Sequence, residues 1–128
     1  MLVVDDEPHI GLLLRPHLER RGYRVTLART LAQARAATSG PEAVEAVLLD
    51  VHLPDGSGLD WLRDLRAQPR TRRLPVLVLT GEGEERVLRT AEQLGAAVLT
   101  KPFSPTKLTA RLADMLGDDE TPPPEAAA

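Results

Sequence analysis

Short aliphatic runs alternate along this chain with segments whose apolar residues recur every three or four positions, and the alternation repeats five times. Leu2-Val3-Val4, Ala46 to Leu49 and Val76 to Leu79 are continuous apolar runs, as expected of strands buried on both faces of a parallel sheet. Arg24 to Leu27 alternates polar with apolar, the pattern of an edge strand, and Ala97 to Thr100 completes the set. Ile10, Leu13, Leu14, His17 and Leu18 follow helical spacing, with Gly22 placed as a stop. Thr30-Leu31-Ala32-Gln33 is a capping box opening a second helix that ends near Gly40-Pro41. Ser57-Gly58-Leu59-Asp60 caps a third, carrying Leu59, Leu62 and Leu65 with Trp61 at the margin of its apolar face. Val87, Leu88, Ala91 and Leu94 mark a fourth, ended by Gly95. Ser104-Pro105, an N-cap followed by proline at the first helical position, opens a fifth with Leu108, Leu112, Met115 and Leu116. The fold class is α/β: a (βα)5 doubly wound parallel sheet with helices on both faces. Pro16 inside the first helix removes a hydrogen bond to Leu12 and costs roughly 3 kcal/mol in a regular helix, so a kink is expected there.

Composition narrows the class. The 128 residues make one domain with a single core. No cysteine is present, which excludes disulfides and thiol catalysis. The net charge of −3 argues against a nucleic-acid footprint over the whole surface. The start reaches acid too early for a signal peptide, and no apolar stretch is long enough to span a membrane. A cytoplasmic location is therefore expected. Arginines outnumber lysines 14 to 2, which makes a lysine at a strand end more noteworthy.

The strand ends carry the chemistry. Asp5 and Asp6 end the first run, Asp50 the third, Thr80 the fourth, and Lys101 the fifth. In an open α/β sheet, ligands bind beyond the carboxyl ends of the strands. Three carboxylates brought to one edge repel each other and raise each other's pKa unless they share a cation. An all-oxygen acidic cluster suits Mg²⁺ and not zinc, which points to phosphate chemistry. Singly, each residue has a plainer role: the aspartates as helix caps, Thr80 as a strand-end hydroxyl, Lys101 as a solvated charge. Four strand ends contributing to one chemical set is much harder to obtain by chance.

The chain resembles a response-regulator receiver domain of two-component signalling. The resemblance lies in Leu2-Val3-Val4-Asp5-Asp6-Glu7-Pro8, Leu48-Leu49-Asp50-Val51-His52-Leu53-Pro54-Asp55-Gly56-Ser57-Gly58, Pro75-Val76-Leu77-Val78-Leu79-Thr80-Gly81 and Lys101-Pro102-Phe103, and covers about residues 1–116. It implies a flavodoxin-like sheet of order 2-1-3-4-5. It implies Asp50 as phosphoacceptor for a phosphoryl group from a histidine kinase or histidine phosphotransfer protein. By the same resemblance Asp6 and Asp50 ligate Mg²⁺ directly, Asp5 acts through water, and the backbone carbonyl of His52 completes the protein ligands. Lys101 and Thr80 then bind phosphoryl oxygens, and Gly81 leaves their approach open. The domain is expected to catalyse only its own phosphorylation and dephosphorylation. Output to a partner or attached domain passes through the face of the fourth helix, fifth strand and fifth helix, where Arg86, Arg89, Lys107 and Arg111 add basic charge. The resemblance also allows a phosphorylation-dependent homodimer. No direct nucleic-acid or membrane contact is expected of this segment. It further implies a cis Lys101–Pro102 bond, although the residues alone favour a trans proline ending the strand.

Two features depart from the family pattern. The aromatic residue usual three positions before the lysine is Val98 here, so no ring can swing, and Gly81 to Gly83 becomes the expected route of movement. The other departure is Pro16. His52 beside the acceptor is either an influence on acyl-phosphate hydrolysis or an exposed loop histidine. His9 is assigned to the surface, His17 to a partly buried helix position, and Arg70, Arg72 and Arg73 to a solvated basic loop. Gly56 and Gly58 suggest a flexible loop around the Pro54-Asp55-Gly56 turn. Residues 117–128, acidic and proline-rich, read as a disordered tail or linker start. This leaves a stand-alone receiver and a piece of a longer regulator both open. The competing function is a Mg²⁺-dependent phosphatase with an Asp nucleophile. That enzyme needs a second acid where His52 stands and a cap for which there is no insertion. A purely structural binding module conflicts with the intact Asp5, Asp6, Asp50, Thr80 and Lys101.

Overall fold

Alternation along the buried strands decides which helices cover which face. The computed structural model describes residues 1–41, 43–81 and 83–116; the side chains of residues 8–10 lie outside that description, and with them the expected placements of His9 and Ile10. The tail assigned to residues 117–128 also lies outside the described residues. The elements are β1 (Leu2–Val4), α1 (Pro8–Arg20), β2 (Thr26–Ala28), α2 (Leu31–Ser39), β3 (Val47–Asp50), β4 (His52–Leu53), β5 (Gly56–Ser57), α3 (Gly58–Ala67), β6 (Val76–Thr80), α4 (Glu85–Gln93), β7 (Ala97–Thr100) and α5 (Pro105–Leu116). A five-stranded parallel sheet has the order β2-β1-β3-β6-β7, which is 2-1-3-4-5 once the β4–β5 hairpin is set aside.

Leu2, Val4, Val47, Leu49, Val76 and Val78 point to one face, where they pack with Leu31, Ala34, Trp61, Leu62, Leu65 and Ala91 of α2, α3 and α4. Met1, Val3, Ala46, Leu48, Leu77 and Leu79 point to the other, against Leu14 and Leu18 of α1 and Leu108 and Leu112 of α5. The period of two within each strand makes two cores from one sheet. Trp61, expected at the margin of its helix face, is 2% exposed and wholly part of the first core.

Several boundaries differ from the sequence pattern for identifiable reasons. β2 begins at Thr26 rather than Arg24: Leu2 faces Thr26 in the parallel ladder and the Thr26 N–H donates to the Met1 carbonyl at 2.9 Å, while Arg24 is met only through its carbonyl, which accepts from the Met1 amine at 2.6 Å. Leu13, counted on the inward stripe of α1, is 55% exposed. The sheet-facing line is Gly11, Leu14 and Leu18, a narrow i, i+3, i+7 stripe from which Leu13 lies about 100° away. One helix runs from Pro8 to Arg20 through Pro16, and Gly22 at φ +92° follows its end, as expected. The helix caps match their residues: Thr30 Oγ1 accepts from the Gln33 N–H at 3.1 Å, Ser57 Oγ from the Leu59 N–H at 3.2 Å, and Ser104 Oγ from the Lys107 N–H at 3.1 Å.

The stretch after β3, expected as a loop, forms a short hairpin. His52 pairs with Ser57 and Leu53 with Gly56 in antiparallel register. Asp55 at its tip accepts from the α2 N–H groups of Leu31 at 2.8 Å and Ala32 at 3.1 Å, so the carboxylate sits at a helix N-terminus that favours negative charge. Those bonds hold the Asp55 carboxyl below its usual range. Its folded pKa is depressed, so its stabilising effect is complete above the ordinary value of 3.8 and is lost as pH falls through the folded value. Asp55→Ala is expected to lower the urea midpoint at pH 7 and to show less additional loss than the parent as pH drops below the ordinary carboxylate range. Equal midpoints at pH 7 would remove Asp55 from the account of how α2 is anchored.

Candidate functional site

The sheet brings its acids to one edge, Asp50 within a strand and Asp5 and Asp6 just past the end of another. Asp50 is the last residue of β3, and Asp5 follows β1, held by its own N–H donating to the Ala28 carbonyl at 2.9 Å. β1 and β3 are neighbours in the sheet, so their ends meet. One carboxylate oxygen each of Asp5, Asp6 and Asp50 lie within 4.8 Å of one another. Asp5 and Asp50 are buried and Asp6 is exposed. Thr80, 3% exposed, ends β6 beside β3, and its carbonyl accepts from the Lys101 N–H at 2.7 Å. That bond starts Lys101 at the next strand end, and its Nζ reaches Asp50 Oδ2 at 3.3 Å. The Lys101–Pro102 peptide is cis, as the resemblance implies. All five strand-end residues of the sequence reading therefore meet at one edge.

The partners of each carboxylate differ. Asp50 Oδ1 accepts from the His52 N–H at 3.0 Å, and its other oxygen faces Lys101. Asp5 Oδ1 accepts from the Glu7 N–H at 2.8 Å, while its buried Oδ2 has no hydrogen-bond partner among the described residues. Burial pushes the Asp5 carboxyl above its ordinary range; the Asp50 charge adds to this, and the Glu7 N–H and Lys101 oppose it. The Thr80 hydroxyl donates to the Gly81 carbonyl at 3.4 Å, at the outer limit of a hydrogen bond, so it is available to a better acceptor. An orphaned buried carboxylate oxygen, beside two more acids and with only oxygen donors, fits a hard divalent cation.

Asp5 thus costs stability while the site is metal-free. Its raised pKa means the fold binds that proton more readily than the unfolded chain does, so Asp5 makes stability fall as pH rises through the window above 3.8. In Asp5→Asn the amide oxygen keeps the Glu7 bond and the amide N–H faces the neighbouring acids. The variant is expected to gain on the order of 1 kcal/mol in chelator at pH 7 and less at pH 4. A variant less stable than the parent in chelator at pH 7 would contradict this.

Three contacts are not evident in the sequence. Glu84, the residue before α4, has one carboxylate oxygen 2.7 Å from His52 Nε2 and the other accepting from the Gly81 N–H at 2.9 Å. The His52 bond, then the Gly81 bond, hold the Glu84 carboxyl below its usual range, and the Lys101 charge contributes. Asp55 is the second. Arg66 is the third: its guanidinium donates to the carbonyls of Leu94 at 2.7 Å and Leu74 at 2.7 Å, tying α3 to the far ends of β6 and α4. The segment Gly81 to Glu85 contains three acids, and nothing in the pattern singles out Glu84. His52 is exposed yet engaged, and Val98 is half-buried against the core on the face covered by α2, α3 and α4.

The family model described as the response regulator receiver domain matches residues 1–113, and the chain belongs to that family. It is 41% identical over 113 residues to protein PetR of Rhodobacter capsulatus, covering 88% of this chain and 46% of that protein. It is 37% identical over 128 residues to the phosphate regulon transcriptional regulatory protein PhoB of Pseudomonas aeruginosa, covering 95% and 56%. The fold superposes on the receiver domain of NtrX from Brucella abortus with TM-score 0.81 and 30% identity, covering 91% of this chain and 97% of that one. The chain thus spans about half the length of the curated relatives it matches. It is a signalling receiver domain of the two-component type, and the phosphatase alternative has no support among these relatives. No described helix is long and apolar enough to cross a membrane.

Proposed function

We propose that Asp50 accepts a phosphoryl group from a phosphohistidine on a sensor kinase or histidine phosphotransfer protein, and that the resulting acyl phosphate changes what the domain binds. The supporting observation is the single constellation at the strand ends: three carboxylates within 4.8 Å, with Lys101 Nζ 3.3 Å from Asp50. An Asp50 oxygen attacks phosphorus, the P–N bond breaks, and the imidazole nitrogen keeps the bonding pair and takes up a proton. Bound Mg²⁺ supplies positive charge that offsets repulsion between the acids and the phosphoryl group. Asp6 and Asp50 would hold it directly, Asp5 through water, with the His52 carbonyl. Lys101, already beside Asp50, pairs with a phosphoryl oxygen, and the Thr80 hydroxyl donates to another. The domain promotes its own phosphorylation and its own dephosphorylation, and no other reaction.

Output leaves through α4, β7 and α5. Arg86, Arg89, Lys107 and Arg111 are all exposed on these helices, giving a basic surface away from the acidic edge. The partner is an attached output domain, a separate protein or a second phosphorylated copy, and the setting is the cytoplasm. Residues 1–116 form the receiver and 117–128 its tail or linker. Incubation with acetyl phosphate and Mg²⁺, followed by intact mass, tests the core of this reading. A gain of one phosphoryl group that vanishes in chelator is expected; no gain, or an equal gain without metal, overturns it.

A further inference from the structure

We propose that Glu84 is a carboxylate latch over the Asp50 pocket: in the unphosphorylated chain it occupies the Gly81 N–H, and it yields that donor to a phosphoryl oxygen. This inference rests on the reading of Asp50 as phosphoacceptor. One side chain bridges two of the loops that frame the site. Glu84 Oε1 lies 2.7 Å from His52 Nε2, and a carboxylate can only accept, so the ring nitrogen carries the hydrogen. His52 stands two residues beyond Asp50, and its own N–H donates to Asp50 Oδ1 at 3.0 Å. Glu84 Oε2 accepts from the Gly81 N–H at 2.9 Å, and Gly81 directly follows Thr80. A Cβ on Gly81 would stand 3.0 Å from that same oxygen, so glycine makes the close approach of an anion possible here.

A carboxylate oxygen and a phosphoryl oxygen are anionic acceptors of the same kind. Both seek an N–H beside the Thr80 hydroxyl, within the field of Lys101. The Gly81 N–H at 2.9 Å serves one well-aligned acceptor at a time. Glu84 also feels the Lys101 charge, which is the charge an incoming phosphoryl group would use. The latch is weak by construction, since the His52 side chain is 72% exposed and that of Glu84 28%. A half-open pair of this sort holds a resting state without trapping it. Glu84 is the residue immediately before α4, so its release acts on the first turn of the helix that leads into the output face. That gives a receiver without an aromatic residue at Val98 a direct link from the phosphoryl group to α4.

The test uses the whole chain as wild type, Glu84→Ala and Glu84→Gln. Uptake from acetyl phosphate with Mg²⁺ is timed by intact mass, and exchange of the Gly81 amide is followed by NMR with and without beryllofluoride. Removing a competitor of this strength should raise the initial rate in Glu84→Ala about two- to fivefold. Glu84→Gln should stay near wild type, because its amide oxygen still accepts from Gly81. The Gly81 amide should exchange faster in metal-free Glu84→Ala than in wild type, and beryllofluoride should restore equal protection to both. Equal acceleration in the Gln and Ala variants means simple charge repulsion of the phosphodonor and overturns the latch. Wild-type uptake with an unchanged rate and unchanged Gly81 exchange in Glu84→Ala also overturns it, leaving the Asp50 reading standing. Absence of uptake in the wild type overturns both.

Discussion

Asp50→Asn is expected to abolish phosphoryl uptake from acetyl phosphate while leaving the fold intact. The amide is nearly isosteric, and its oxygen still accepts from the His52 N–H that Asp50 Oδ1 takes at 3.0 Å. What disappears is the anionic oxygen that faces Lys101 at 3.3 Å and would attack phosphorus. An amide oxygen shares its electrons with nitrogen and carries no full charge, so it is a poor nucleophile at neutral pH. Loss of the Lys101 pair costs little, because the lysine side chain is 36% exposed and can turn to water. One like charge is also removed from a cluster spanning 4.8 Å. These opposing effects should leave stability within about 1 kcal/mol of the parent. Undiminished uptake in Asp50→Asn would move the acceptor to another carboxylate, with Asp6, the exposed member of the cluster, first to be tested.

The architecture was legible because one physical rule covers it. Continuous aliphatic runs mean strands buried on both sides, and the helix caps between them are local chemistry. Val76 to Leu79 and Thr30 to Gln33 can be understood from a few residues alone. What the pattern missed depends on distance in space. Arg24 resembles a strand residue, but the paired ladder begins at Thr26, opposite Leu2, a register that only the docking of β2 on β1 sets. Leu13 and Leu14 are equally apolar, and only docking on the sheet decides that Leu14 is 1% exposed and Leu13 55%.

The site divides along the same line. Asp5, Asp50, Thr80 and Lys101 were visible because strand ends can be located by pattern and parallel strands bring their ends together. Asp55 and Glu84 were not, since each acts on a backbone group whose place only the fold fixes: the α2 N-terminus in one case, the Gly81 amide in the other. His52 shows the limit from the other side. Its exposure and its place two residues after Asp50 follow from the sequence, but its ring partner lies 32 positions away.

Gly58→Ala is expected to impair both stability and phosphorylation, although alanine is the better helix former by about 1 kcal/mol. Gly58 is the first residue of α3, and its N–H donates to the Val51 carbonyl at 2.9 Å. A Cβ there would stand 2.8 Å from the backbone oxygen of Asp50 and 3.0 Å from the Cα of Val51. Neither is the end of a flexible side chain. Relief therefore requires moving α3 or the end of β3, and β3 is fixed on both sides by β1 and β6. Overpacking of this kind costs roughly 1–3 kcal/mol, enough to outweigh the helix preference. The displaced segment carries Asp50 and the His52 N–H that orients it. A shift of a few tenths of an ångström at a reacting group should slow uptake from acetyl phosphate, on the order of tenfold, since a full 1 Å costs about a hundredfold. Urea unfolding and timed intact mass would check the two effects separately. A variant as stable as the parent with full uptake would mean that α3 can slide outward freely, and that the tight seat of Gly58 under Asp50 does not position the acceptor.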